Sequence, residues 1–196
     1  MWYQPIECDN TRETPLICDS SNFEEFGFSE EDFKSGNKIT NWPEAVVFGA
    51  TEKRYDGIPD DALQNSYMIP IFSQKFKNVL EGAGIKGIQY LPVTVQGLNG
   101  NVFTGFYIAN FLNLIEAFDF KNSAFNLFAE DFPNPNVRGK IAGVRKFVLR
   151  STEIGNVDIF RLAEYRRRFF VTQKVKELFI DNELKGYSFI PVDCLP

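Results

Sequence analysis

The apolar positions of residues 71–93, IFSQKFKNVLEGAGIKGIQYLPV, recur first at helical spacing and then at alternate residues. Phe76, Val79, Leu80 and Ala83 share one helical face. Ile88-Gln89-Tyr90-Leu91-Pro92-Val93 alternates and is rich in aromatic and β-branched residues, as strands are. The same pattern returns in residues 170–192, FVTQKVKELFIDNELKGYSFIPV, without a gap at an offset of 99 residues. Seven positions are identical: Gln74/Gln173, Lys75/Lys174, Lys77/Lys176, Lys86/Lys185, Gly87/Gly186, Pro92/Pro191 and Val93/Val192. Each stretch therefore predicts a helix followed by a strand, opened by an N-capping hydroxyl at Ser73 or Thr172. Gly84 suits a left-handed helix end in the first stretch. Glu183 stands at that place in the second, which predicts that the second helix ends differently.

Elsewhere the pattern predicts more strand than helix. Residues 1–6 read as a short strand, 7–22 as loop, and Ala45–Gly49 as a strand. Ser29 followed by Asp32 resembles a helix start, and Gly36-Asn37 a turn. Residues 50–66 are polar and acidic and read as a connecting loop. Asn99-Gly100 between Leu91–Val95 and Val102–Ile108 predicts a hairpin. Residues 110–125 are apolar without a clear period and carry no assignment. Lys140–Leu149 and Val157–Ala163 read as strands of a second hairpin around Ser151–Asn156. The order is not a regular βαβ alternation. It predicts an α+β fold with a mainly antiparallel sheet, few helices and a duplicated helix–strand unit at 71–93 and 170–192. One domain over 1–196 is expected, divisible into pseudo-repeated halves of about 40–110 and 139–192, with a variable segment 1–39 in front.

Charge changes this picture. The net charge is −5, but residues 1–62 carry 14 acidic and 5 basic side chains, while 138–176 carry 11 Lys/Arg against 3 acids. The first residues lack the basic and apolar regions of an export signal, and no apolar run approaches the roughly 20 residues of a membrane span. Cys8, Cys18 and Cys194 are too few for a disulfide framework and are expected reduced. A Cys8–Cys18 or Cys8–Cys194 pair stays open. These features predict a soluble cytoplasmic protein.

Chemistry is hard to stage on this chain. With 0 His there is no imidazole base, nucleophile partner or metal ligand. Gly82-Ala83-Gly84-Ile85-Lys86-Gly87 matches a dinucleotide fingerprint, but it follows a helix and precedes a strand, the reverse of what phosphate binding needs. Neither Asp56, Asp60 and Asp61 nor Glu30-Glu31-Asp32 has the spacing of a calcium loop. No catalytic, cofactor or metal site is legible, and an enzyme is not expected. Arg166-Arg167-Arg168 beside Phe169 and Phe170 suggests phosphate contact, yet an acidic chain is a poor default nucleic-acid binder. The run FEEFGFSEEDF at 23–33 allows two readings. Its aromatics are core and its acids merely solvated, or together they present a surface to a basic partner.

A resemblance extends these readings. Trp42-Pro43-Glu44-Ala45-Val46-Val47-Phe48, Ile71-Phe72-Ser73, Gly87–Val93, Tyr107-Ile108-Ala109-Asn110, Asp158–Leu162, Phe170-Val171-Thr172 and Leu184–Val192 resemble the immunity protein 11 family of bacterial polymorphic-toxin systems over about residues 40–192. The resemblance implies a cytoplasmic antidote to a toxin encoded by a neighbouring gene. Toxins of such systems are often nucleases, whose active-site cleft is basic. An acidic inhibitor can occlude such a cleft. Glu24, Glu25, Glu30, Glu31, Asp32, Asp56, Asp60 and Asp61, with Trp42 or a Phe as an anchor, are the residues expected to face the toxin. The alternative is a nucleic-acid or phosphate-ligand binder using 138–176. A carboxylate-based enzyme is the remaining class.

Overall fold

The structure, a computed structural model, describes residues 1–7, 16–52 and 57–196. The expectations for Cys8, for the loop around Thr14-Pro15 and for Asp56 lie outside the described residues. Strand dominates and helices are few, as an α+β fold requires. No helix is long and apolar enough to cross a membrane among the described residues.

The two aligned stretches take matching places in two sheets. In the first, β6 (Ile71–Ser73) leads into helix α1 (Gln74–Gly82) and then β7 (Ile88–Gln96). In the second, β14 (Phe169–Thr172) leads into α3 (Gln173–Asp181) and β15 (Tyr187–Leu195). Seven strands form the first sheet, in the order β2 (Ile17–Cys18), β5 (Ala62–Asn65), β6, β8 (Val102–Phe111), β7, β4 (Val47–Gly49) and β3 (Ser20–Ser21). The second sheet runs β12 (Val148–Arg150), β15, β1 (Trp2–Glu7), β14, β13 (Ile159–Leu162) and β9 (Leu114–Ile115). Read in reverse, it repeats the order of the first from β2 to β4, with β1 in the place of β8 and no counterpart of β3. The registers agree. Tyr107 of β8 lies opposite Phe72 and Pro92, and Tyr3 of β1 lies opposite Val171 and Pro191, each partner 99 residues further on. Lys77 sits 4.5 Å over the Tyr107 ring, and Lys176 sits 4.2 Å over the Tyr3 ring.

Alternation along these strands separates three apolar clusters. Phe76 and Leu80 of α1 meet Val175 and Phe179 of α3, and all four pack on Tyr3, Phe72, Phe111, Phe169 and Tyr187 between the sheets. The other face of the first sheet buries Ile71, Leu91, Val93, Val95 and Ile108 beneath Phe23, Phe33 and Val46. The corresponding face of the second buries Phe160, Phe170 and Val192 beneath Ala117, Phe118 and Ile141. The two segments that cover these outer faces, 19–46 and 116–147, follow β2 and β9 and precede β4 and β12.

The helices are tied to each other reciprocally. Lys75 Nζ donates to the Glu183 carbonyl at 3.5 Å, and Lys174 Nζ donates to the Ala83 carbonyl at 3.0 Å. Their starts differ from expectation. Ser73 Oγ caps α1 by accepting from Phe76 N at 3.1 Å. Thr172 forms no such cap, although its hydroxyl donates to Asp158 Oδ1 at 2.9 Å much as that of Ser73 donates to Asp61 Oδ1 at 2.6 Å. Their ends agree where a difference was expected. Gly84 has φ +72° and Glu183 has φ +51°, so the glutamate takes the left-handed conformation that glycine takes in α1. The carbonyls of Leu80 and Phe179 then accept from Ile85 N and Leu184 N, both at 3.0 Å. A left-handed non-glycine residue costs about 1–2 kcal/mol. Glu183→Gly, partly offset by a freer unfolded chain, is expected to raise the melting temperature by roughly 2 °C. A thermal melt checks it, and no rise would mean that Glu183 carries no strain.

Three other expectations change. Residues 50–66 are not all loop, since Ala62–Asn65 is a buried strand between β2 and β6. The Lys140–Leu149 run splits into β11 (Ile141–Lys146), paired with β10 (Ala124–Leu127), and β12, paired in parallel with β15. No hairpin joins β12 to β13. A four-residue helical turn, α2 (Ser151–Ile154), carries the chain between them, and β13 pairs with β14. The Asn99-Gly100 hairpin is present, with Gly100 at φ +77° and Gly97 N donating to the Asn101 carbonyl.

Candidate functional site

The segment 19–46 holds seven acidic side chains against Lys34 and Lys38. All but one of its aromatic residues pack inward and fix it to the first sheet. Phe23 and Phe33 are buried, meeting edge to face with centroids 5.4 Å apart. Trp42 packs on Phe33 and Phe28, and its indole Nε1 donates to the Pro92 carbonyl at 2.8 Å. Trp42 is thus anchored within the fold, half-buried. Phe26 stays 40% exposed at the end of the turn that carries Glu24 and Glu25.

Polar side chains clamp the same segment at several points. Asp19 accepts from Thr51 N and Thr51 Oγ1, both at 2.7 Å. Ser21 Oγ donates to the Val47 carbonyl, and Val47 N donates to Asn22 Oδ1, each at 2.8 Å. Gln89 bonds both the N–H and the carbonyl of Ile39. The polar string Asp19-Ser20-Ser21-Asn22, which reads as loop in sequence, is this clamp.

The carboxylates divide by what they bind. Glu30 Oε2 lies 2.7 Å from Lys34 Nζ, whose side chain is buried, so Glu30 is already committed. Asp32 Oδ2 accepts from both Ser29 N and Ser29 Oγ at 2.7 Å, holding the short turn Asp32–Lys34. The Ser29 hydroxyl therefore donates to the acid rather than capping a helix. The side chains of Glu24, Glu25 and Glu31 are exposed and form no hydrogen bond or ion pair among the described residues, although the Glu31 charge lies within electrostatic reach of the buried Arg161 guanidinium. Burial pushes the Tyr67 phenol above its ordinary pKa, and the charges of Glu24, Asp19 and Glu30 add to that shift. These three carboxylates thus lie within electrostatic reach of one ring.

Asp60 and Asp61 occupy other places. Asp60 is buried. Asp61 accepts from Ser73 Oγ at 2.6 Å and from Lys185 N at 3.1 Å, so it ties the start of α1 to the turn after α3. Among the described residues no group of His, Cys, Asp and Glu is arranged to hold a metal ion. Cys18 and Cys194 are free thiols, and burial pushes the Cys18 thiol up to about 12. Arg161, one of the cations of 138–176, is fully buried, with Nη1 donating to the Arg166 carbonyl at 2.8 Å.

The arrangement offers a fixed, acidic, partly aromatic surface. The sequence model of the immunity protein family (Imm11) matches residues 3–193. The chain belongs to this family. A comparison with curated proteins finds no match. Membership of an immunity protein family implies a toxin as partner, and the acidic segment lies within the matched residues.

Proposed function

We propose that this immunity protein neutralises a basic nuclease toxin by covering the toxin's nucleic-acid cleft with the acidic surface of residues 19–46. The observation that carries the reading is the exposure of Glu24, Glu25 and Glu31, whose side chains form no hydrogen bond or ion pair among the described residues, on a segment clamped to the sheet. Such charges are preorganised. They lose little freedom on binding, and they steer a cationic partner. Phe26 supplies apolar contact beside them. Glu30 and Asp32 add to the field while holding the turn in shape. Asp61 and Trp42 serve the scaffold, and Asp60 is buried beneath the surface. The action is binding in the cytoplasm, without catalysis, within a polymorphic-toxin system of bacterial competition.

We also infer that the chain is one domain made of a single unit used twice. The matching strand orders, the registers of Tyr3 and Tyr107 and the reciprocal lysine contacts support this reading. The shared unit builds the scaffold, and the unshared cover of the first sheet recognises the toxin.

Co-expression with the product of the adjacent gene tests the function. A stable complex and restored growth of cells making the toxin are expected. A toxin that kills undiminished and elutes apart from this protein would refute the proposal.

A further inference from the structure

The outer face of the second sheet carries a cleft of about 350 Å³. Gln4 of β1 and Ile190 and Val192 of β15 line it together with Val144–Phe147 and residues Tyr165 and Arg168. Four separate parts of the chain converge there, which composition alone does not reveal. Three of its side chains are cationic: Arg145, Lys146 and Arg168. Neither arginine side chain forms a hydrogen bond or an ion pair among the described residues, although Arg168 lies within electrostatic reach of Glu7. Lys146 meets Asp193 at 2.9 Å, but both side chains are more than half exposed. An ion pair of that kind contributes about 0–1 kcal/mol and opens readily.

Phe147 and Tyr165 add an aromatic side to the cleft. Their centroids are 5.9 Å apart, and Phe147 is held in place by Phe170 at 5.2 Å. A ligand that fits must be anionic, because three cations and one carboxylate leave a net charge of +2. It must also be small. The volume is at the low end of small-molecule sites, roughly 300–1,000 Å³, and has no room for a duplex. A phosphate monoester carries a charge of about −1.5 to −2 at neutral pH, which complements the walls. Guanidinium groups bind its oxygens bidentately, and an aromatic side chain takes a flat ring.

We propose that this cleft binds a phosphate monoester carrying a flat ring, with the phosphate against Arg145, Lys146 and Arg168 and the ring against Phe147 or Tyr165. The site is separate from the acidic surface and does not depend on the toxin reading. Adenosine monophosphate is the probe. Titration of the full chain, followed by amide chemical shifts, is expected to saturate at a Kd of about 0.1–1 mM, with changes clustered at residues 144–147, 165–168 and 190–193. Ribose 5-phosphate should bind more weakly, and adenosine should not bind. Arg145→Ala combined with Arg168→Ala should weaken binding at least about tenfold, and Arg145→Ala alone, at an exposed side chain, should weaken it without changing the melting curve. Asp193→Asn should tighten binding by removing the one carboxylate. Scattered, non-saturating shifts, or equal binding by the double-arginine variant, would overturn the proposal.

Discussion

Gly186→Ala is expected to destabilise the protein by about 3–5 kcal/mol, enough to remove a large share of a typical folding free energy of 5–15 kcal/mol. Gly186 has φ +107°, and an added Cβ would sit 2.2 Å from the Ala62 carbonyl oxygen. The obstacle is backbone, so it cannot rotate away. Ala62 is itself fixed, because its N–H donates to the Lys185 carbonyl at 2.9 Å and Lys185 N donates to Asp61 Oδ2. Relieving the clash means parting this turn from the start of β5. That combines left-handed strain of roughly 1–2 kcal/mol with overpacking of roughly 1–3 kcal/mol and the loss of about one hydrogen bond. Urea unfolding measures the effect. Gly82→Ala is the control, since Gly82 lies in α1 with nothing within 4 Å of an added Cβ and no positive φ. Equal midpoints for the two variants would show that the close approach at Gly186 does not matter.

The second large effect concerns recognition. Reversing Glu24, Glu25 and Glu31 to Lys is expected to weaken toxin binding by a factor of about 100 or more, mainly through slower association at low salt. The three side chains are exposed and form no ion pair among the described residues, so Glu24→Lys and Glu25→Lys should each alter stability by no more than about 0.5 kcal/mol, whereas Glu31→Lys turns a charge that favours the buried Arg161 against it and should lower stability further. Kinetic binding to the purified toxin at two salt concentrations measures the loss, and growth rescue reports its consequence. Glu30→Ala provides the contrast. It strands the buried Lys34 ammonium and should lower stability by about 1–3 kcal/mol while costing less in association rate. Undiminished binding by the triple variant would move the recognition surface elsewhere on the molecule.

The parts of the fold that were legible in sequence are those where one periodicity runs long enough. α1, α3, β7 and β15 are each nine residues long, enough for apolar positions to recur at the period of the element. Ala62–Asn65 was hidden because it is short and carries Gln64 and Asn65. Asn65 is buried only because its amide is satisfied locally, by the carbonyl and N–H of Ile69. The second hairpin was misjudged because β12 finds its partner in β15, more than forty residues away, and proximity in sequence suggests β13. Glu183 shows tertiary contact overriding local preference. Its backbone follows Gly84 because the following strand and the Lys75 contact fix the path. In the candidate site, the alternation of acid and aromatic at 23–33 was visible. The division of labour was not, since the partners of Glu30 and Asp61 depend on Lys34 being buried and on the Lys185 turn arriving from the other half of the chain.

The position of β1 bears on how the protein is made. On the ribosome, every strand of the first sheet has been synthesised once Phe111 is added, so that sheet and its acidic cover can form while translation continues. The second sheet cannot. Its inner strand β1 is made before any strand of the first sheet, and both of its neighbours, β14 and β15, come after residue 168. β1 must therefore wait for its sheet partners until the first sheet is complete. The newborn chain thus acquires its negatively charged face well before it acquires its full stability.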